Sequence, residues 1–236
     1  MKKNISLYEG IKIQSNKTPD NQALYYKGLT IKYKKLLESV NKLASGLDSL
    51  GVKKEDVVTI CLPNFPFSVY LMYALNQNGN IINFAHPLLT LKQMTEIICE
   101  TKSNYLFCLD SKYGEYLPLK KNGLTIIPVC PVSELSPLIK LAYKFKSRKK
   151  TKDNRSAKIV GKDLLKLLPK EEFVHMDKED QIYLHSGGTT SKSKTIALSS
   201  YALNSLAENT KYILELDDVS NKYMYSLLPM FHGFGL

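Results

Sequence analysis

The sequence contains no C-x-x-C pair and no cysteine–histidine cluster at zinc-finger spacing. That excludes the common structural zinc sites and the dithiol redox motif. The four cysteines, Cys61, Cys99, Cys108 and Cys130, read as buried free thiols in a reducing compartment. Long apolar runs are also missing. The longest lies near residues 67–75, far below the roughly 20 residues of a membrane span. The opening MKKNISLYEGIKIQ has two lysines with no apolar stretch behind them, so no signal peptide is expected and the chain reads as cytoplasmic. Acidic residues are the other shortage. Only 22 Asp and Glu face 33 Lys and Arg, a formal net charge of +11.

What is present is ordinary for a folded domain. Hydrophobic residues make up 44% of 236, enough for a sizeable core and too many for a disordered tail, a collagen-like repeat or a disulfide miniprotein. The positive charge is concentrated. Residues 140–158, KLAYKFKSRKKTKDNRSAK, hold nine Lys and Arg against one acid, Asp153, a net +8 that leaves +3 for the remainder. A nucleic-acid footprint spread over the surface is therefore not expected, nor a nucleic-acid partner. Leu138, Ile139, Leu141, Ala142 and Phe145 fit one helical face, with Lys140, Lys144 and Lys146 off it. Two readings stay open here: a solvated surface insertion, or peripheral contact with an anionic membrane. The stretch 131–169 as a whole reads as a basic, linker-like insertion.

Apolar residues at spacings of three and four predict a helix over 33–50, closed by Gly51. Short β-branched runs predict strands at 56–62, 81–85, 105–109, 125–130, 181–185, 195–198 and 223–228. Between them, 65–77 reads as a buried helix. Thr90 and Gln93 form a capping box for a helix to about residue 102, and Ser199 or Ser200 caps one to about 214. Strands that are apolar throughout, alternating with helices, predict an α/β fold of mostly parallel sheets flanked by helices.

Between the strands at 181–185 and 195–198 runs His185-Ser186-Gly187-Gly188-Thr189-Thr190-Ser191-Lys192-Ser193-Lys194-Thr195. Glycines let backbone N–H groups turn toward an anion, hydroxyls add neutral donors, and lysines supply point charges. That composition suits a polyphosphate. It is not a Walker A loop, because neither glycine has Gly-Lys-Ser/Thr at the required distance. On composition alone, a polar hairpin between two strands fits as well.

The loop resembles the signature of the adenylate-forming superfamily of acyl-CoA synthetases, peptide-synthetase adenylation domains and luciferases. Residues 186–194 fill its nine positions in order, with Ser193 where the family usually has Pro. Leu29-Thr30-Ile31 through Leu36 is similar to an early family segment. Leu228-Pro229-Met230-Phe231-His232-Gly233-Phe234-Gly235-Leu236 is similar to the family's L-P-x-F-H-x-x-G-L segment. The resemblance implies that the chain is the N-terminal part of the large adenylate-forming domain, over 1–236. It implies ATP-phosphate contacts from Ser186, Gly187, Gly188, Thr189, Thr190, Ser191, Lys192 and Lys194, with Thr190 near Mg²⁺. It implies an acyl-substrate entrance at Phe231, His232 and Gly233. ATP and Mg²⁺ would be required, with CoA as the thiol co-substrate of the intact enzyme. The apolar flank of His232 favours a fatty or aromatic acid. Of the other histidines, His86 reads as a turn residue, His175 as exposed, and His185 as packed or orienting the loop.

The family's later motifs, which supply adenine, ribose and catalytic Lys contacts, do not occur in these residues. Two readings follow from the resemblance. The chain is the N-terminal fragment of an acid–thiol ligase, inactive by itself. Or it is a non-catalytic remnant or subunit that docks on a complementary C-terminal polypeptide.

Overall fold

The computed structural model describes residues 5–174, 180–186, 194–213, 215, 223–233 and 235–236. The chain opens with α1 (Leu7–Lys17), β1 (Gln22–Tyr26), β2 (Leu29–Lys32) and α2 (Tyr33–Ser49). There follow β3 (Val57–Cys61), α3 (Pro66–Gln77), β4 (Ile81–Phe84), α4 (Leu91–Thr101), β5 (Tyr105–Leu109), α5 (Tyr113–Tyr116) and β6 (Thr125–Val129). The last described elements are α6 (Pro137–Ser147), α7 (Gly161–Leu164), β7 (Asp180–His185), β8 (Thr195–Ser199) and α8 (Ser200–Ile213).

Local chemistry accounts for the element ends. Ser6 caps α1 by accepting from the Glu9 N–H at 3.0 Å, while the Glu9 carboxylate accepts from the Ser6 N–H. Thr90 and Gln93 do the same for α4. Gly51, at φ +88°, ends α2. The Gly51 N–H donates to Asp48 O, and the Val52 N–H donates to Leu47 O. This paired closure needs the left-handed conformation that glycine adopts without a Cβ clash.

β1 and β2 form a separate antiparallel pair. The main sheet has the order β6-β5-β3-β4-β7-β8, parallel except for the antiparallel β7–β8 pair. Its strands alternate between two buried faces. Val58, Ile60, Phe107, Ile127 and Val129 pack with Val40, Leu43 and Leu47 of α2 and Leu71 and Leu75 of α3. Cys61, Leu106, Cys108 and Ile126 pack with Met94, Ile97 and Ile98 of α4 and with Tyr113 and Tyr116. A sheet covered on both faces leaves no polar alternation in its strands, which explains the continuous apolar runs.

Two expectations need correction. Residues 223–228 are not a strand; Tyr223, Met224, Tyr225 and Leu227 are exposed, with no described strand alongside. Cys99 is exposed, whereas Cys61 and Cys108 are buried and Cys130 is half-buried. The exposure of Cys99 follows from α4, whose Met94, Ile97 and Ile98 face the sheet instead. The stretch 131–169, read as a basic insertion, contains α6 and α7. The Tyr143 hydroxyl donates to Asp110 at 2.5 Å, and Leu164 packs against Gly46.

Candidate functional site

The parallel strands β3, β4 and β7 end on one edge of the sheet, and their outgoing loops diverge. The chain leaves β4 toward β5 on one side and leaves β7 toward β8 on the other. Such a divergence opens a crevice at the carboxyl ends of the strands, where α/β sheets bind ligands.

His185 stands at the last position of β7, paired across the ladder with Thr195. Its Nε2 lies 2.7 Å from the Oδ1 of Asn83, which is fully buried on β4. Asn83 in turn donates to the Thr59 hydroxyl at 2.9 Å, which fixes its amide so that Oδ1 faces the imidazole. His185 therefore donates through Nε2–H. Its Nδ1 lies 3.3 Å from the Thr195 hydroxyl, which donates to the Glu100 carboxylate at 2.6 Å. Burial lowers the His185 pKa below its ordinary value of 6.5, with the negative charge of Glu100 opposing. His185 is thus tied to β4 through Asn83, with Nδ1 turned toward Thr195 at the start of β8. Of the two sequence readings, orientation of the loop's base fits this geometry.

One residue further on, the two ends of the loop are tied together. The Ser186 N–H donates to Lys194 O at 2.9 Å, and the Lys194 N–H donates to the Ser186 hydroxyl at 3.0 Å. The connection is a hairpin by construction, with the Lys194 side chain exposed at its base. Gly187, Gly188, Thr189, Thr190, Ser191 and Lys192 lie outside the described residues, as do His175 and Phe234.

The segment at 228–236 docks against the same edge. Asn64, in the loop after β3, donates to Leu228 O at 2.9 Å and to the Ser226 hydroxyl at 2.8 Å; its Oδ1 accepts from the Met230 N–H at 2.9 Å. His86, after β4, packs edge-on against Phe231, with ring centroids 4.6 Å apart. The His86 Nδ1 also accepts from the Leu88 N–H at 3.0 Å, so its turn role and its contact with Phe231 coexist. A Cβ on Gly233 would lie 3.9 Å from Leu184 of β7. The His232 N–H donates to Pro229 O and its carbonyl accepts from the Gly235 N–H, leaving the imidazole exposed. Phe231, His232 and Gly233 are therefore brought beside the end of β7.

Sequence reasoning missed Asn64 and the part played by His86. The only local signal is that each lies one to three residues beyond a predicted strand end and beside a proline. As for cation ligands, the described residues contain no group of three or more His, Cys, Asp or Glu able to hold a metal. Thr190, expected near Mg²⁺, lies outside them.

Comparison with known proteins is consistent with this geometry. Residues 11–236 match the family model described as AMP-binding enzyme. An acetyl-coenzyme A synthetase of Methanothrix thermoacetophila is 32% identical over 171 residues, covering 71% of this chain and 25% of that protein. A probable 4-coumarate–CoA ligase of Dictyostelium discoideum is 29% identical over 233 residues, covering 92% of this chain and 40% of the relative. Among solved structures, o-succinylbenzoate CoA synthetase of Bacillus subtilis, in complex with its acyl-adenylate intermediate, superposes with a TM-score of 0.70 at 18% identity. That match covers 98% of this chain and 40% of the other. The chain thus spans less than half the length of these relatives. A family match running from α1 through the hairpin to the segment docked on Asn64 and His86 makes the chain a member of the AMP-binding enzyme family, corresponding to the N-terminal part of its relatives.

Proposed function

We propose that the chain forms the phosphate-binding and acyl-entrance parts of an ATP-dependent acid–thiol ligase. In the whole reaction a carboxylate oxygen attacks the α-phosphorus of ATP and pyrophosphate leaves. A thiol such as that of CoA then attacks the acyl carbon, and AMP leaves. The observation that carries the reading is the hairpin base. Ser186 and Lys194 are locked to each other at the carboxyl end of β7 in the main sheet. A loop of glycines, hydroxyls and Lys192 held at both ends offers the donor set that a polyphosphate requires. Lys194 would neutralise charge on the β/γ-phosphates as pyrophosphate departs. Mg²⁺ accompanying ATP would add charge neutralisation, and the family resemblance assigns Thr190 as a hydroxyl that would hold it.

The acid we propose is fatty or aromatic. Phe231 packs edge-on against His86, which suits an apolar acyl entrance there, and the names of relatives include a long-chain-fatty-acid–CoA ligase of Bacillus subtilis, 24% identical. A cytoplasmic setting fits these substrates. The 236 residues alone are expected not to form an acyl-adenylate, since they match only 40% of the 4-coumarate–CoA ligase relative.

One observation favours the second reading, docking on a complementary polypeptide. Tyr212 and Ile213 of α8, and Tyr225 and Leu227, are exposed apolar side chains. The discriminating experiment is acid-dependent exchange of labelled pyrophosphate into ATP, over a panel of fatty and aromatic acids. It is run on the 236-residue chain and on the chain extended with the remaining part of a relative. Exchange only in the extended chain supports the ligase reading. A folded but inactive extended chain supports the docking reading.

A further inference from the structure

Helix α6 is attached to the body by one side only. The Tyr143 hydroxyl donates to Asp110, and Ser147 on the same side is buried. At about 100° per residue, Tyr143 and Ser147 lie opposite Leu138, Leu141, Ala142 and Phe145. Those apolar residues face away from the protein, with Leu138 at 79%, Leu141 at 52% and Phe145 at 72% exposure. Lys144 and Arg148 run along one margin of this ridge and Lys146 along the other. Exposed Lys149, Lys150 and Lys152 follow directly. The helix itself carries no acid. Asp153, the single acid of residues 140–158, is turned back over Gly114, where an added Cβ would collide with its carboxylate.

An outward apolar ridge between two rows of cations has the anatomy of a helix lying in a membrane interface. Charge separates this occupant from others. A second copy would bring the same cations against themselves, and a nucleic acid would leave the ridge against a polar groove. An anionic bilayer satisfies both parts at once, with acyl chains for the ridge and headgroup charge for the lysines. We propose that α6 docks the protein on anionic membrane surfaces, inserting Leu138, Leu141 and Phe145 below the headgroups. This goes beyond the ligase reading and does not depend on it.

The test is co-flotation of the full chain with vesicles of phosphatidylcholine alone and of phosphatidylcholine mixed with phosphatidylglycerol. Capture is expected on the anionic vesicles and is expected to fall steeply with added salt. Replacing Leu138, Leu141 and Phe145 together by Ser should lower the partition coefficient at least about tenfold. Replacing Arg148, Lys149, Lys150 and Lys152 by Ser should do likewise. Both variants should keep the far-ultraviolet circular dichroism and melting temperature of the parent, since the altered side chains are exposed. The chain has no tryptophan, so Phe145→Trp provides a lone reporter. Its emission should shift to the blue on anionic vesicles and stay unshifted with soluble glycerophosphoglycerol. Several outcomes would overturn the proposal: no vesicle capture, equal capture by neutral vesicles, capture unaffected by the serine variants, or an unshifted tryptophan in the bound state. Self-association that the apolar serine variant abolishes, without vesicle capture, would assign the ridge to a second copy instead.

Discussion

Two side chains hold the candidate site together, and each makes a distinct prediction. Asn64 joins the loop after β3 to residues 226–230 through both ends of its amide. Asn64→Ala removes these bonds, and neutral hydrogen bonds contribute about 0.5–1.5 kcal/mol each, so a loss of about 1–2 kcal/mol is expected in urea unfolding. Asn64→Asp keeps the acceptor for Met230 N–H but turns a carboxylate oxygen against Leu228 O, so it should lose at least as much. His185 predicts a pH dependence. Its folded pKa lies below 6.5, so the unfolded chain takes up the proton first. Its contribution to stability is complete above pH 6.5 and is lost as pH falls through the lowered folded value. Asp110 and Glu134 act in the opposite sense, because burial raises their carboxyl pKa values and favours the folded state in acid. Comparing melting temperatures of the parent and His185→Gln across this range isolates the imidazole. The parent should lose more stability than the variant below pH 6.5; parallel curves would mean that His185 carries no such shift.

At the scale of elements, Gly46 shows why packing cannot be inferred from propensity. A glycine inside a helix normally costs about 0.5–1 kcal/mol relative to alanine. Here a Cβ would lie 2.6 Å from the Cβ of Leu164, so α2 and α7 meet only because Gly46 has none. Gly46→Ala is therefore expected to destabilise by about 1–3 kcal/mol, the usual cost of overpacking, despite the better helix former. A stabilised variant in thermal melts would show that α7 does not pack there. The amphipathic period of α2 and the β-branched runs of β3 through β6 were legible in the sequence because those residues repeat locally. The α2–α7 contact was not, since its partners lie more than a hundred positions apart and the charges around Leu164 suggest a solvated linker. The same distance hid Asn64 and His86, whose partners at 226–231 are remote in sequence. The hairpin was half legible: composition suited a polyphosphate loop and a polar hairpin alike, and the mutual bonds of Ser186 and Lys194 came only with the fold.

At the scale of the molecule, the sheet order places every candidate element on one edge. β3 carries Asn64 there, β4 carries His86, and β7 with β8 carries the hairpin. The central claim is that this hairpin grips the phosphates of ATP, with Lys194 as its fixed charge. Its position beside Ser186, anchored by β8, holds its backbone, whereas the family pattern leaves the place of Lys192 free. Loss of one charge-assisted contact costs about 1.5–3 kcal/mol, or at least tenfold in turnover. The most direct measurement is acid-dependent pyrophosphate exchange in the extended chain with Lys194→Ala and Lys192→Ala. Exchange should fall at least tenfold for Lys194→Ala and change little for Lys192→Ala. Undiminished exchange in Lys194→Ala, or a large loss confined to Lys192→Ala, would contradict the assignment.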